Sequence, residues 1–222
     1  MNRIVEKNVS EIKDFLKNFK LSPPKLNRDF KKNYKAFHSL LIWGFCFEKS
    51  EDISDKEKMY FKEALSDLSH SLFLVLFNLY KPSRFSLRSS IENFVRALLI
   101  SCNVEIEKID TVHGLFDCAN VEFDSVPEVK KRVGQLRGIY TDLCKSAHSV
   151  QIDYLSLTIP LDKITDKDED IFANITSVFS DTCRLINQLA FLTRSELIGL
   201  AGHKNEDIIR DSVPKKLKKV DS

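Results

Sequence analysis

The sequence predicts an all-α protein: a single-domain bundle of six or seven helices with a short extended connector near residues 152–159. Two observations lead to this prediction. Gly and Pro contribute only 6 residues each to the 222-residue chain, too few for the many tight turns of a sandwich or barrel. Apolar residues make up 43% of the chain and recur every three or four positions through most of it.

Four apolar stripes with helical spacing predict the first half of the bundle. They cover about residues 3–20, 27–48, 55–80 and 84–103. Proline favours a boundary between neighbouring helices. Ser22-Pro23-Pro24 separates the first stripe from the second, and Lys81-Pro82-Ser83 separates the third from the fourth. The third stripe ends in a run that is apolar on all sides, which predicts a position near the centre of the core.

The second half of the chain predicts two further long helices, over about residues 128–149 and 168–200. Residues 105–127 are less regular, and we expect a short helix and a loop there. The folded domain is predicted to end at residue 203. Residues 204–222, which include PKKLKKV, are expected to form a polar, basic tail that aids solubility or contacts phosphates.

Charge and cysteine content limit the function classes. Lys and Arg total 34 against 32 Asp and Glu, so no global field attracts nucleic acid and any polyanion site must be a local patch.

The longest apolar run, residues 72–80, is well short of the roughly 20 residues that span a membrane. The first residues lack the apolar core of a signal peptide. The 5 cysteines form no CxxC pair, which predicts reduced thiols in a cytoplasmic protein.

The first candidate site is a polar stripe on the predicted helix over residues 84–103. Arg88, Glu92 and Arg96 are spaced four residues apart and therefore share one face. Glu92 can pair with either arginine, and the helical orientation favours Arg96. Two guanidiniums oriented by one carboxylate can hold a phosphate. The alternative interpretation is a solvated helix face with ordinary ion pairs.

The second candidate site lies in RGIYTDLCKSAHS, residues 137–149. Cys144, Lys145 and His148 cluster on one side of this helix, and Tyr140 is nearer its buried seam. A neutral imidazole beside a lysine suits a general base. Alternatively, His148 satisfies the carbonyls at the helix end. The sequence contains no zinc-ligand spacing and no glycine-rich phosphate loop, so it predicts neither a metal nor a cofactor.

Together, LYKPSRF, LRSSIENFVRALL and YTDLCKSAHS resemble the HEPN superfamily of bacterial all-helical proteins, which are common in phage-defence and toxin–antitoxin loci. The resemblance covers roughly residues 55–150, and it implies a HEPN-like core over about residues 55–200. It also implies a four-helix core, frequent dimerisation and, in many members, a metal-independent ribonuclease with a catalytic histidine, which here is His148.

In those nucleases an arginine four to six residues before the histidine takes part in catalysis. Four, five and six residues before His148, this chain has Cys144, Leu143 and Asp142, none of which is an arginine. Cleavage would therefore depend on Arg88 or Arg96 from the other candidate helix, or on a residue from a second protomer. The residues expected at such a site are His148, Arg88, Arg96 and Lys145, supported by a network of Glu92, Tyr140 and Arg137.

Two functions follow from these patterns. The first is a HEPN-like RNase or RNA- or nucleotide-binding effector, with His148 as general base toward a ribose 2′-hydroxyl. The second is a non-catalytic helical immunity protein, antitoxin or subunit that acts through protein–protein contacts. The expected partners are RNA or a nucleotide and a protein or second copy of the chain, with no membrane. Convergence of the arginine stripe with His148 in an open cleft would favour the first function.

Overall fold

A computed structural model describes residues 6–7, 10–11, 28–148 and 168–217. All regular structure in these ranges is helical, and no strand occurs in them, which confirms the all-α bundle. The α-helices are α1 (Arg28–Lys49), α2 (Asp55–Leu76), α3 (Tyr80–Ile100), α4 (Val112–Glu122), α5 (Pro127–His148), α6 (Glu169–Thr193) and α7 (His203–Ser212). Short 3₁₀ helices cover Ile106–Lys108 and Ser195–Ala201.

The joint between α2 and α3 lies a few residues before the predicted position at Lys81-Pro82-Ser83. Asn78 adopts a positive φ of 60°, which interrupts the helical path, and Tyr80 begins α3. Pro82 lies within the first turn of α3. Proline is tolerated there because the first N–H groups of a helix have no acceptor within it.

The predicted helix over residues 168–200 is divided. Asp168 caps α6 by accepting a hydrogen bond from the backbone N–H of Ile171 at 2.9 Å. α6 ends at Thr193, and Arg194 leaves the helical conformation with φ −144° and ψ 30°. The 3₁₀ helix then leads to Gly202, whose φ of 75° is in the region that favours glycine.

The C-terminal segment differs from the expected basic tail. Residues 203–212 form α7, and the chain remains packed against the bundle as far as Leu217. Ile208, Ile209, Val213 and Leu217 are all buried in the core. The folded body therefore extends beyond the predicted boundary at residue 203.

Two predictions fall largely outside the described residues. The extended connector near residues 152–159 lies outside them altogether. Of the predicted helix over residues 3–20, the structure describes residues 6–7 and 10–11, which are helical.

The buried apolar side chains of all seven helices form one continuous core. α2 and α3 make the most extensive helix pair, α1 packs on α6, and α5 packs on both α3 and α6. The apolar residues of α5 that follow one another at spacings of four and three form its buried face: Val129, Val133, Leu136, Tyr140 and Leu143. Among the described helices, none combines the length and apolar character needed to cross a membrane. This packing brings the two candidate stretches together.

Candidate functional site

The arginine stripe of α3 and the candidate stretch of α5 meet where these helices pack against each other. A polar contact between them joins Arg88 Nη1 to Cys144 Sγ at 4.0 Å. The sequence alone could not establish this juxtaposition, because it depends on how α3 and α5 cross. We refer to the contact region of Arg88, Tyr140 and Cys144 as the α3–α5 seam.

Arg88 is partly buried, and its described contacts include no carboxylate. Its guanidinium contacts the Cys144 thiol and lies 5.9 Å from the centroid of the Phe85 ring. No carboxylate of the described residues forms an ion pair with it. A thiol and a ring face are weak partners for a guanidinium, which has five N–H donors. Its environment therefore favours an added anion such as a phosphate.

Arg96 lies on the same stripe but has a different environment. Its Nη2 donates to Glu92 Oε1 at 2.8 Å, which is the pairing that the helical orientation favours. The guanidinium also lies 6.0 Å from the centroid of the Tyr60 ring. Both side chains of the ion pair are mostly buried, at 22% exposed for Arg96 and 27% for Glu92. Arg96 and Glu92 therefore satisfy each other, and the stripe has one end with an ion pair and one end, at Arg88, whose described contacts include no carboxylate.

Tyr140 forms the buried floor of the seam. Its ring packs near His113 and Phe116, with centroid distances of 6.4 Å and 5.6 Å. Burial, reinforced by the neighbouring Cys144 thiol, raises the pKa of Tyr140 to about 12. The positive charge of Arg88 opposes this rise. Tyr140 is therefore protonated at neutral pH, and it can donate a hydrogen bond but cannot act as a base.

Two other predicted residues of α5 are paired away from the seam. Arg137 Nη1 donates to Asp117 Oδ1 at 2.6 Å, which links α5 to α4. Arg137 lies seven residues before Cys144, a separation of about 10 Å along the helix. Lys145 Nζ donates to Asp142 Oδ1 at 2.8 Å on the exposed side of α5. The described contacts of Arg137 and Lys145 therefore do not bring either side chain to Arg88.

His148 is the last residue of α5, one turn beyond Cys144 in the helical register. Its side chain lies outside the described part of the chain. The structure therefore locates His148 by its backbone, near the end of α5 that carries the Arg88 contact.

Sequence reasoning missed a buried ion pair at another end of the bundle. Arg194, just after α6, donates to both carboxylate oxygens of Glu57 in the first turn of α2, at 2.9 Å and 2.8 Å. The Glu57 side chain is 5% exposed. Burial raises the pKa of Glu57, and the charge of Arg194 opposes that rise. No local pattern reveals this pair, because its members are 137 residues apart.

Two concave surfaces lie on the side of α5 that faces α6. The first is a mainly apolar pocket of about 320 Å³ between α3, α5 and α6, with Arg84, Asp142 and Asn174 as its polar lining residues. The second is a wider groove of about 670 Å³ between α5, α6 and the end of α7. Ile139 lines both, so the two surfaces adjoin each other along α5.

Comparison of the chain with protein-family models, curated proteins and solved structures found no match. Within the ranges that the structure describes, no three His, Cys, Asp or Glu side chains come together as a metal-ligand set. The chemistry of the site therefore has to be inferred from its own charges and contacts.

Proposed function

We propose that this chain is a HEPN-like RNA- or nucleotide-binding protein of a bacterial defence or toxin–antitoxin system, with a phosphate held by Arg88 at the α3–α5 seam. The observation that carries the proposal is the partly buried Arg88 guanidinium, which contacts a thiol and a ring but no described carboxylate. The cytoplasm is the proposed setting, in keeping with the five free cysteines.

A phosphate suits Arg88 because a planar guanidinium donates two parallel hydrogen bonds to phosphate oxygens. The protein supplies a fixed orientation for this contact. Leu87 and Ile91 are fully buried on either side of Arg88 in the α3 sequence, so the helix cannot easily rotate at this point. A phosphate bound there lies beside the C-terminal half of α5.

The catalytic form of the proposal assigns the general base to His148. His148 would remove the proton from a ribose 2′-hydroxyl, and the 2′-oxygen would attack the adjacent phosphorus. The bond from phosphorus to the 5′-oxygen then breaks, and water supplies the proton that the leaving oxygen takes up. Arg88 stabilises the charge that develops on the phosphoryl oxygens, and the step needs no metal.

The remaining predicted residues have supporting roles in this proposal. Arg96 holds Glu92 at 2.8 Å, and this pairing keeps the nearest carboxylate of the stripe from neutralising Arg88. Tyr140 remains protonated and forms the floor of the site. Lys145 and Arg137 are paired with Asp142 and Asp117, and they contribute charge at the margin of the site.

The test compares Arg88→Gln with Arg210→Gln, an exposed arginine of α7 that pairs with Glu206. The substitution and the charge change are the same in both variants. We expect Arg88→Gln to weaken binding of a short single-stranded RNA about tenfold, which corresponds to ~1.4 kcal/mol. Arg210→Gln should bind like the wild type. Equal affinities for all three proteins, measured by fluorescence anisotropy, would contradict the proposal.

The catalytic form has a separate readout. Wild-type protein in a chelating buffer should cleave RNA to products with a cyclic phosphate end, and His148→Ala should abolish cleavage while retaining binding. Binding without cleavage in the wild type would remove the catalytic step and leave the binding function.

A second candidate function is a non-catalytic immunity protein, antitoxin or subunit that acts through protein contacts, including those with a second copy of the chain. The observation that favours it is the satisfied Arg96–Glu92 pair beside Tyr60, since paired groups stabilise a fold rather than bind a ligand. Under this function Glu92→Ala lowers stability, and none of the arginine variants changes RNA binding.

A further inference from the structure

The 670 Å³ groove between α5, α6 and the end of α7 is lined by more charged residues than the 320 Å³ pocket beside it. Its charged lining residues are Lys131, Arg132, Arg184, Lys216, Asp181 and Asp211. Gln135 and Gln188 supply polar amides, and Ile139, Leu185 and Val213 supply the apolar part of the lining. The groove lies on the face of α5 that carries Ile139, whereas the α3–α5 seam lies on the face that carries Cys144.

Both carboxylates of the groove are already paired with cations. Asp181 accepts a hydrogen bond from Arg184 one turn further along α6. Asp211 forms an ion pair with Lys35 of α1, at 3.5 Å. These pairings offset the negative charge of both carboxylates, and the first of them also uses the charge of Arg184, which leaves Lys131 and Lys216 as the cations available to an anion.

Three cations surround one further carboxylate at the rim. Arg132 donates to Glu128 Oε2 at 2.6 Å. The pKa of Glu128 is lowered chiefly by this hydrogen bond and the charge of Arg132, and further by Lys216 and Lys131. Lys131 and Lys216 are exposed, and neither forms an ion pair within the described residues. The groove therefore carries a local excess of positive charge, although the whole chain has a net charge of only +2.

The walls that carry these lysines are fixed before any ligand arrives. Arg132 is 3% exposed, and its Nε donates to Gln188 Oε1 at 2.7 Å, which ties α5 to α6. Val213 and Leu217 are buried on either side of Lys216 in the chain. A site whose backbone is held in place loses less conformational entropy when it binds a ligand.

We infer that this groove binds the phosphodiester backbone of RNA, with Lys131 and Lys216 as phosphate contacts. Lysine is a point charge on a flexible stem, and it can follow a phosphate backbone without reading bases. The interaction is therefore independent of sequence. The choice of RNA as the polyanion rests on the proposed function. The groove itself lies on a different face of α5 from the Arg88 site, so either surface can bind without the other.

The test measures how RNA affinity depends on salt. Removal of one lysine that neutralises a phosphate should reduce the slope of log K against log salt by about 0.7 for a single strand. Lys131→Gln/Lys216→Gln should therefore lower the slope by about 1.4, and Lys131→Gln alone by about 0.7. The control is Lys62→Gln/Lys204→Gln, which removes the same charge from exposed lysines outside the groove and should leave the slope unchanged.

Two outcomes would overturn the inference. The first is a Lys131→Gln/Lys216→Gln variant that melts at the wild-type temperature and shows the wild-type slope of log K against log salt. The second is competition by polyglutamate as strong as competition by unlabelled RNA, which would identify the groove as a surface for an acidic protein.

The Arg88→Gln variant distinguishes the groove from the Arg88 site. Failure of the Arg88 site leaves affinity unchanged in that variant, whereas failure of the groove leaves the slope unchanged in the lysine variants.

Discussion

Two arginines at different places in the bundle show how the same side chain is used in opposite ways. Arg194 is held by two hydrogen bonds to the buried carboxylate of Glu57 and joins the start of α2 to the end of α6. Arg88 lies between α3 and α5 with a thiol at 4.0 Å and no described carboxylate. A satisfied guanidinium stabilises the fold, while an unsatisfied one remains available to a ligand. The pairing, rather than the residue type, separates a structural arginine from a binding one.

The largest expected effect concerns the structural arginine. Removal of one partner leaves a buried charge without compensation, so Arg194→Leu should lower the free energy of unfolding by about 3 kcal/mol. RNA binding by the folded fraction should be unchanged. Urea denaturation measures the first effect and anisotropy the second. The comparison fails if Arg194→Leu unfolds at the wild-type midpoint or if the folded variant loses RNA affinity.

The second-largest expected effect is a loss of folding stability at high pH, and it is caused by Tyr140. The pKa of Tyr140 is raised from 10.0 to about 12 in the folded state. Between these values the unfolded chain releases the proton and the folded chain retains it, so stability falls as pH rises. The loss should be on the order of 2 kcal/mol.

Thermal melts from about pH 9, one unit below the unfolded pKa, up to about pH 12, the folded pKa, measure this loss. Tyr140→Phe has no group to ionise and should lose less stability than the wild type over that range. Tyr60→Phe, which leaves Tyr140 in place, is the matched control and should follow the wild type. Identical pH profiles for the wild type and Tyr140→Phe would show that Tyr140 is not buried as described.

The smallest effect tests the paired end of the arginine stripe. Glu92→Gln leaves Arg96 without its ion pair, and because the pair is partly exposed the cost should be about 0.5 kcal/mol. The same change removes the carboxylate nearest to Arg88 on the helix and should strengthen RNA binding about twofold. Chemical denaturation and anisotropy on one protein preparation measure both. A weaker RNA complex would indicate that Glu92 orients Arg88 after all.

The helical pattern was readable from the sequence wherever one helix face decides the structure. The four-three seam of α5 and the preference of Glu92 for Arg96 are properties of a single helix, and the structure contains both. A signal for the packed C-terminal segment was also present, since Ile209, Val213 and Leu217 are apolar and spaced by four, but the surrounding charges suggested a tail. The spacing of apolar residues was the better guide in that segment.

Contacts between distant segments were not readable. The proximity of Arg88 and Cys144 depends on how α3 and α5 cross, and 56 residues separate them. The end of α6 at Thr193 could not be predicted for the same reason, because Arg194 leaves the helix there and pairs with the distant Glu57 on α2. The net charge of the groove could not be predicted from local spacing alone, because Asp211 forms its ion pair with Lys35, which lies far from it in the sequence.

The decisive measurement for Arg88 as a phosphate ligand follows the arginine Nε–H signals by NMR during titration with adenosine monophosphate. The Arg88→Gln and Arg194→Gln variants assign the two signals of interest. We predict a saturable shift of the Arg88 signal and a constant Arg194 signal, because Glu57 already occupies the donors of Arg194. A constant Arg88 signal at concentrations that shift other arginines would show that Arg88 does not bind the phosphate.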